Sequence, residues 1–299
     1  MNELTLGVAF PACNLNKKII KQAIRKLKKY NFKLYLPEKL GIDKKHNPFR
    51  DTVANRTKYI EELFKNDEVN AIICARGGYG SHKIAEALNY DVIKQNPKAF
   101  IGYSDITVLL NRIHQETGII TQHGPMLQDL AFLDNKSFLR SLHKTLRSNF
   151  KNILETEQLK KCKIIKTGRT SGNLVGGNLA TICSTIGTSN AIDFTDKIVF
   201  IEEYDEEIYA IDRYLTQLLQ NKKILKAKAL IFGDFTKISN KTIKYHQQLL
   251  DLVSNNFAEF KGPILWGYKA GHQHVAKFLP IGNPCRLELS DKKQTLTFL

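Results

Sequence analysis

Lys98-Ala99-Phe100-Ile101-Gly102-Tyr103-Ser104-Asp105 carries the chain from an apolar, strand-like run into a helix-like one. Beyond Asp105 the apolar residues Ile106, Leu109, Leu110 and Ile113 recur at i, i+3, i+4 and i+7, the spacing of one helix face. Ser104 therefore stands at a strand-to-helix turn. A serine there points its hydroxyl out of the end of a sheet. The unpaired first-turn amides face the same space, and the helix dipole favours negative charge in it. That is the mechanical logic of a nucleophile elbow. The same residues fit a plain helix N-cap, and the final glycine of G-x-S-x-G is absent. The turn by itself leaves both readings open.

The first half of the chain alternates around this turn. Strand-like runs fall near residues 4–10, 33–36, 71–75, 100–102 and 119–122, with helix-like runs at 18–30, 56–65, 81–88 and 105–116. Such alternation predicts an α/β fold with a mainly parallel sheet and helices on both faces. Ligand sites in such sheets lie beyond the carboxyl ends of the strands. Both the Ser104 turn and Arg76-Gly77-Gly78-Tyr79-Gly80 fall at such ends. A helix is expected over 136–146, then a polar, lysine-rich crossing. The second half reads as a loop over 171–177 followed by a helix from Asn178. Strands near 198–201, 229–232 and 264–267 and helices near 206–220 and 242–257 come next. Runs 286–289 and 294–298 close the chain around the turn Asp291-Lys292-Lys293. The expected division is a Rossmann-like domain over 1–147, a linker over 148–163 and a mixed α/β domain over 164–299 with some antiparallel sheet.

Composition narrows the class. The chain has 299 residues, 42% of them hydrophobic and 25% charged, which suits one large domain or two medium ones with an ordinary core. No apolar run approaches the roughly 20 residues that span a bilayer, and the start has no basic segment leading into a long apolar stretch. A cytoplasmic protein without membrane insertion is the expectation. The five cysteines are scattered without a C-x-x-C pair, which speaks against a disulfide framework or a cysteine zinc site. The formal charge of +16 sits largely on helix faces. In residues 18–29, Ile20, Ala23, Ile24 and Leu27 make an apolar stripe and the lysines face water. No recognition helix, zinc finger or aromatic RNA-binding motif accompanies the charge, so no nucleic-acid partner is expected.

If Ser104 is a nucleophile, the chain must supply a base, an orienting acid and oxyanion donors. The amide of Asp105 is one donor, and the amide of Gly78 is the better choice for a second. Three glycines in four positions at 77–80 allow close backbone approach to a ligand, although neither nucleotide-binding glycine pattern is present. Of eight histidines, His114 and His246 lie within helices, and His46 and His143 sit in polar contexts and read as solvated. His123 opens His-Gly-Pro-Met at a strand end, a plausible site edge. His272, after Lys269-Ala270-Gly271, has the best context for a base. His272-x-His274 also has the i, i+2 spacing of a metal pair, but no cysteine or acidic cluster completes the set. For the acid, residues 198–201 lead into Glu202-Glu203, which strand alternation puts on opposite faces.

Taken together these segments resemble the serine LD-carboxypeptidase family, which also includes the microcin C self-immunity hydrolases. The resemblance runs almost end to end. It rests on Arg76-Gly77-Gly78-Tyr79-Gly80, Gly102-Tyr103-Ser104-Asp105-Ile106-Thr107, Gly124-Pro125-Met126, Gly176-Gly177-Asn178-Leu179, Ile201-Glu202-Glu203, and Gly271-His272 with Leu279-Pro280-Ile281-Gly282. It implies a Ser-Glu-His triad with Ser104 as nucleophile, Glu202 as orienting acid and His272 as base. It also implies a Rossmann-like domain carrying the serine and a C-terminal domain carrying the other two. A homodimer without cofactor or metal is implied as well. The implied reaction releases the terminal D-alanine of a murein tetrapeptide, at the bond after an L-configured centre. Arg76, Arg213 and Lys269 are candidates for the substrate carboxylate, with Tyr79 and His123 as further substrate contacts. The alternative is a self-immunity hydrolase of peptidyl- or acyl-nucleotide conjugates, favoured by an aromatic ring stacked on a base. The sole tryptophan, Trp266, lies instead in an apolar run. From another class, a non-catalytic protein could use the glycine loops to bind phosphate or carboxylate.

Overall fold

Two sheets organise the chain in a computed structural model, which describes residues 3–37, 51–133, 136–147, 156–236, 243–274 and 276–299. The elements of the first half are β1 (Leu4–Ala9), α1 (Lys17–Lys28), β2 (Phe32–Tyr35), α2 (Val53–Lys65), β3 (Ala71–Cys74), α3 (Ser81–Ala87), α4 (Tyr90–Gln95), β4 (Ala99–Gly102), α5 (Thr107–Thr117), β5 (Thr121–His123), α6 (Leu127–Phe132) and α7 (Lys136–Arg147). Those of the second half are β6 (Thr156–Gln158), β7 (Lys163–Lys166), β8 (Gly168–Asn178), α8 (Leu179–Ser184), β9 (Ile198–Tyr204), α9 (Ile208–Gln220), β10 (Ala229–Thr236), α10 (Ile243–Asn256), β11 (Ile264–Trp266), β12 (Leu279–Ile281), β13 (Pro284–Leu289) and β14 (Gln294–Phe298). The chain divides into two compact units, Met1–Ile153 with Phe278–Pro280, and Leu154–Lys277 with Ile281–Leu299.

In the first unit the strand order is β12-β5-β4-β3-β1-β2. The pairs β1–β2, β1–β3, β3–β4 and β4–β5 are all parallel. Every residue of β1, β3 and β4 is buried, as expected of parallel strands covered on both faces. Order reverses between β1 and β3, the switch point at which the loops after neighbouring strands part. The loops after β1 and β3 meet there, the Cys13 thiol pointing at Tyr79 O at 3.8 Å. Helix α1 forms because Ile20, Ala23 and Leu27 stack on one face and bury against the sheet. Each such leucine or isoleucine is worth about 1.5–3 kcal/mol when fully buried. Ile24, expected in that stripe, is 37% exposed.

The second unit has the order β6-β14-β13-β8-β9-β10-β11-β7. Its centre, β8–β9–β10–β11, is parallel. Its flanks are antiparallel, with β13 on β8, β14 on β13, β6 on β14, and β7 on β11. The long strand β8 joins the two regimes: Gly168–Asn173 pair with β13, and Leu174–Asn178 pair with β9. Val199, Ile201, Leu215, Phe232, Leu249, Val253 and Phe257 belong to the core that α9 and α10 cover.

Several expectations need correction. Residues 171–177 are strand, not loop. Their glycines serve close packing: a Cβ on Gly176 would sit 2.0 Å from the carbonyl oxygen of Phe200 on the paired strand. The helix expected from Asp105 opens as a 3-10 turn, Ser104–Ile106, before α5 begins at Thr107. His143 is buried, with its ring edge-on to Phe32, rather than solvated. Thr156–Gln158, read as linker, pairs with β14. Leu279–Ile281, inside the contiguous span 164–299, adds a strand to the first sheet. His46 lies outside the described residues.

Candidate active site

Ser104 follows β4 with φ +62°. Non-glycine residues adopt that region rarely, at a cost of about 1–3 kcal/mol, and such residues gather at functional sites. No side chain caps the 3-10 turn or α5. The N-cap reading therefore fails, and the geometry is the strained strand-to-helix turn of an elbow.

Neighbouring elements hold this strain. Tyr103 Oη donates to Asp129 Oδ1 at 3.2 Å, and the Met126 N–H donates to Asp129 Oδ2 at 2.8 Å. On the other side the buried Asp105 carboxylate accepts the Ser81 N–H at 2.9 Å, tying the turn to the start of α3. Gly77 clears the space in front of the serine. A Cβ there would stand 3.0 Å from Ser104 Cβ and 3.1 Å from Oγ. The next residue, Gly78, has φ +111°. As a first-turn residue, Asp105 has no intrahelical partner for its own N–H. Sequence reasoning missed Asp129 and Ser81, because nothing local marks an acid 26 residues away as a brace for Tyr103.

In the second unit β9 ends in the two glutamates, and their faces differ as alternation requires. Glu202, fully buried, places Oε2 2.7 Å from His272 Nδ1. Glu203 turns the other way. It accepts Asn178 Nδ2 at 2.7 Å, the Ala180 N–H at 2.7 Å and the Tyr204 N–H at 2.8 Å, so it anchors the start of α8. Burial, and then the neighbouring Glu202 charge, push the Glu203 carboxyl up to about 7. The Tyr204 ring stacks on the His272 imidazole, with centroids 4.5 Å apart and planes 10° apart.

Gly271 makes the approach of His272 possible. It has φ +126°, and a Cβ there would meet Glu202 Oε2 and Asp234 Cβ, each at 3.0 Å. Asp234 itself accepts the N–H groups of Gln273 and His274, each at 3.0 Å, and lies 2.8 Å from His274 Nδ1. The sequence offered a signal for it, an acid one glycine beyond the apolar run 229–232, where Glu202 directly follows 198–201. Nothing in the sequence tied Asp234 to 272–274. Among the described residues no three or more His, Cys, Asp or Glu side chains converge as metal ligands.

The remaining candidates scatter. Arg76 and the 57%-exposed Tyr79 lie in the loop after β3, in the unit that carries Ser104. His123, read as a site edge, is buried at 2% with its ring 5.9 Å from that of Tyr103. It packs beside the elbow, because β5 carries it into the sheet. In the second unit, Lys269 is exposed, three residues before His272. Arg213 is exposed on α9 with its guanidinium 5.6 Å from the Tyr209 ring centroid. Trp266 packs with Phe232 and Phe235, as an apolar-run tryptophan should.

Residues 6–124 match the LD-carboxypeptidase N-terminal domain, and residues 171–287 match the LD-carboxypeptidase C-terminal domain. The chain is 34% identical to a probable murein peptide carboxypeptidase of Bacillus subtilis, over 96% of its own length and 90% of the relative's. It is 27% identical to the microcin C7 self-immunity protein MccF of Escherichia coli, over 82% and 79%. A muramoyltetrapeptide carboxypeptidase from Oxalobacter formigenes shares the fold, with TM-score 0.84 and 24% identity over 98% of each chain. Both domain matches and a relative of 34% identity along nearly the whole chain place this protein in the LD-carboxypeptidase family, as a serine peptidase.

Proposed function

We propose that this peptidase releases the terminal D-alanine of murein tetrapeptides by acyl transfer through Ser104, Glu202 and His272. The observation that carries the chemistry is Ser104 itself, held at φ +62° at a strand end where it caps nothing. The full-length likeness to a probable murein peptide carboxypeptidase supports the substrate.

With Nδ1 engaged by Glu202, the imidazole offers Nε2 as the base. His272 takes the Ser104 proton as Oγ attacks the carbonyl carbon, and Glu202 stabilises the imidazolium that forms. The amides of Gly78 and Asp105 receive the developing oxyanion; one such donor is worth on the order of 3 kcal/mol of barrier. His272 then protonates the departing amine of D-alanine. Water, deprotonated by the same imidazole, hydrolyses the acyl-enzyme and restores Ser104. Arg76, Lys269 and Arg213 are the cations proposed for the substrate carboxylate, with Tyr79 beside them. The reading extends to a homodimer, for which the family resemblance is the support, and to work in the cytoplasm, the expectation drawn from composition. Among the described residues no helix is long and apolar enough to cross a membrane.

A second reading, hydrolysis of an acyl-nucleotide conjugate, is favoured by the likeness to the self-immunity protein. One experiment separates the two. Purified protein is given a murein tetrapeptide and, separately, an aminoacyl-sulfamoyl adenosine, and products are identified by mass spectrometry. Release of D-alanine from the first is expected. Turnover of the conjugate alone would replace the substrate and leave the mechanism intact.

A further inference from the structure

Strand β10 breaks register opposite the triad glutamate. Phe232 pairs with Ile201 and Phe235 with Glu203, so Gly233 and Asp234 together face the single residue Glu202. This two-against-one arrangement is a β-bulge, a device that re-aims a side chain. Its effect here is to put a second buried carboxylate beside Glu202. Gly271 lies against both, 3.0 Å from Glu202 Oε2 and 3.0 Å from Asp234 Cβ when a Cβ is built on it. Two adjacent buried carboxylates repel unless each finds a donor. Each has one from the same short segment: His272 Nδ1 for Glu202, and His274 Nδ1 for Asp234.

Asp234 does more than balance charge. Its N–H donates to Ala270 O at 2.9 Å, ahead of the catalytic histidine. Its Oδ2 accepts the N–H groups of Gln273 and His274 behind that histidine. Main chain and side chain of one residue thus grip the segment on both sides of His272.

We infer that Asp234 is a positioning residue for His272: it fixes residues 270–274 so that the imidazole stands on Glu202 before substrate arrives. The catalytic contribution rests on the acyl-transfer reading above, whereas the clamp does not. A base held within a fraction of an ångström matters because misplacement by about 1 Å can cost about 100-fold in rate.

The test pairs a substrate-free readout with kinetics. In wild-type protein the His272 Nδ1–H should give a downfield proton resonance that Glu202→Gln abolishes. Asp234→Ala should broaden or remove that resonance and lower kcat by about 10- to 100-fold, with KM changed less than about threefold. Asp234→Asn should restore most of both, because one amide oxygen still accepts two peptide N–H groups. An intact resonance and unchanged kcat in Asp234→Ala would overturn the inference, as would an Asn variant no better than Ala. If Asp234→Ala does not fold, amide exchange in the wild type decides: Gln273 and His274 N–H should be protected, and free exchange at both would refute the clamp. A resonance lost in Asp234→Ala, in a protein that releases no D-alanine, would uphold the clamp and reject the substrate.

Discussion

The turn at Ser104 and the cluster at His272 solve the same problem by different means. Ser104, the proposed nucleophile, is positioned by its own backbone. Its φ is +62°, the glycine in front of it leaves room, and its neighbours Tyr103 and Asp105 are tied to Asp129 and Ser81. His272, the proposed base, is positioned by side chains. Its ring nitrogen meets a fully buried carboxylate, its face meets Tyr204, and its loop is gripped by Asp234. A hydroxyl on a one-carbon arm has a single torsion with three staggered positions, so where it can reach is set by the main chain. An imidazole has two torsions to lock and a proton to place, so it needs partners on several sides.

The predictions test that contrast, beginning with the largest effect. Ser104→Ala should lower D-alanine release by at least about 10,000-fold while leaving the thermal midpoint near wild type. Any smaller loss would mean that the elbow does not supply the nucleophile. Glu202→Gln keeps the shape and removes the charge that orients His272, and kcat should fall by about 1,000- to 10,000-fold with little change in KM. Steady-state kinetics on a tetrapeptide measures both.

The two glycines sharpen the comparison. Gly271→Ala combines a φ of +126° with contacts of 3.0 Å to Glu202 and Asp234. It should cost about 1–3 kcal/mol of stability, read by denaturant unfolding, and remove most activity. Gly77→Ala crowds the serine side chain at 3.0–3.1 Å, meets Met126 Cε at an ordinary 3.5 Å, and requires no left-handed backbone. Stability should change by less than about 1 kcal/mol and kcat by about tenfold. Equal stability losses in the two variants would erase the distinction.

The smallest expected effect concerns pH. The Glu203 carboxyl is raised from its ordinary 4.5 to about 7, chiefly by burial and next by the Glu202 charge. Between those values the folded state holds the proton that the unfolded state has lost. Stability should therefore fall as pH rises through this window, and the penalty should be complete above about 7. Glu203→Gln still accepts hydrogen bonds and should flatten that slope in thermal unfolding followed from pH 4 to 8. An unchanged slope would assign the dependence elsewhere.

The same contrast explains what the sequence disclosed. Parallel strands buried on both faces read as apolar runs, so β1, β3 and β4 and the turn after β4 were legible locally. Glu202 and His272 were visible as single residues, and only the family motifs joined them. Asp234 was hidden because a bulge depends on the partner strand. Residues 171–177 misled because glycine marks loops in composition, whereas here it admits the Phe200 carbonyl to close range. Strands β6 and β12 are three residues each, and their sheet neighbours lie far along the chain. No local periodicity could have announced them.

Ser104 at the elbow and the Glu202-held His272 are proposed to act as one catalytic unit. A double-mutant comparison tests this most directly, with kcat measured on a murein tetrapeptide for Ser104→Ala, His272→Ala and the two combined. Groups acting in one step are far from additive, so the double variant should be no slower than the slower single one. Losses that multiply would show the two residues acting independently and contradict the account.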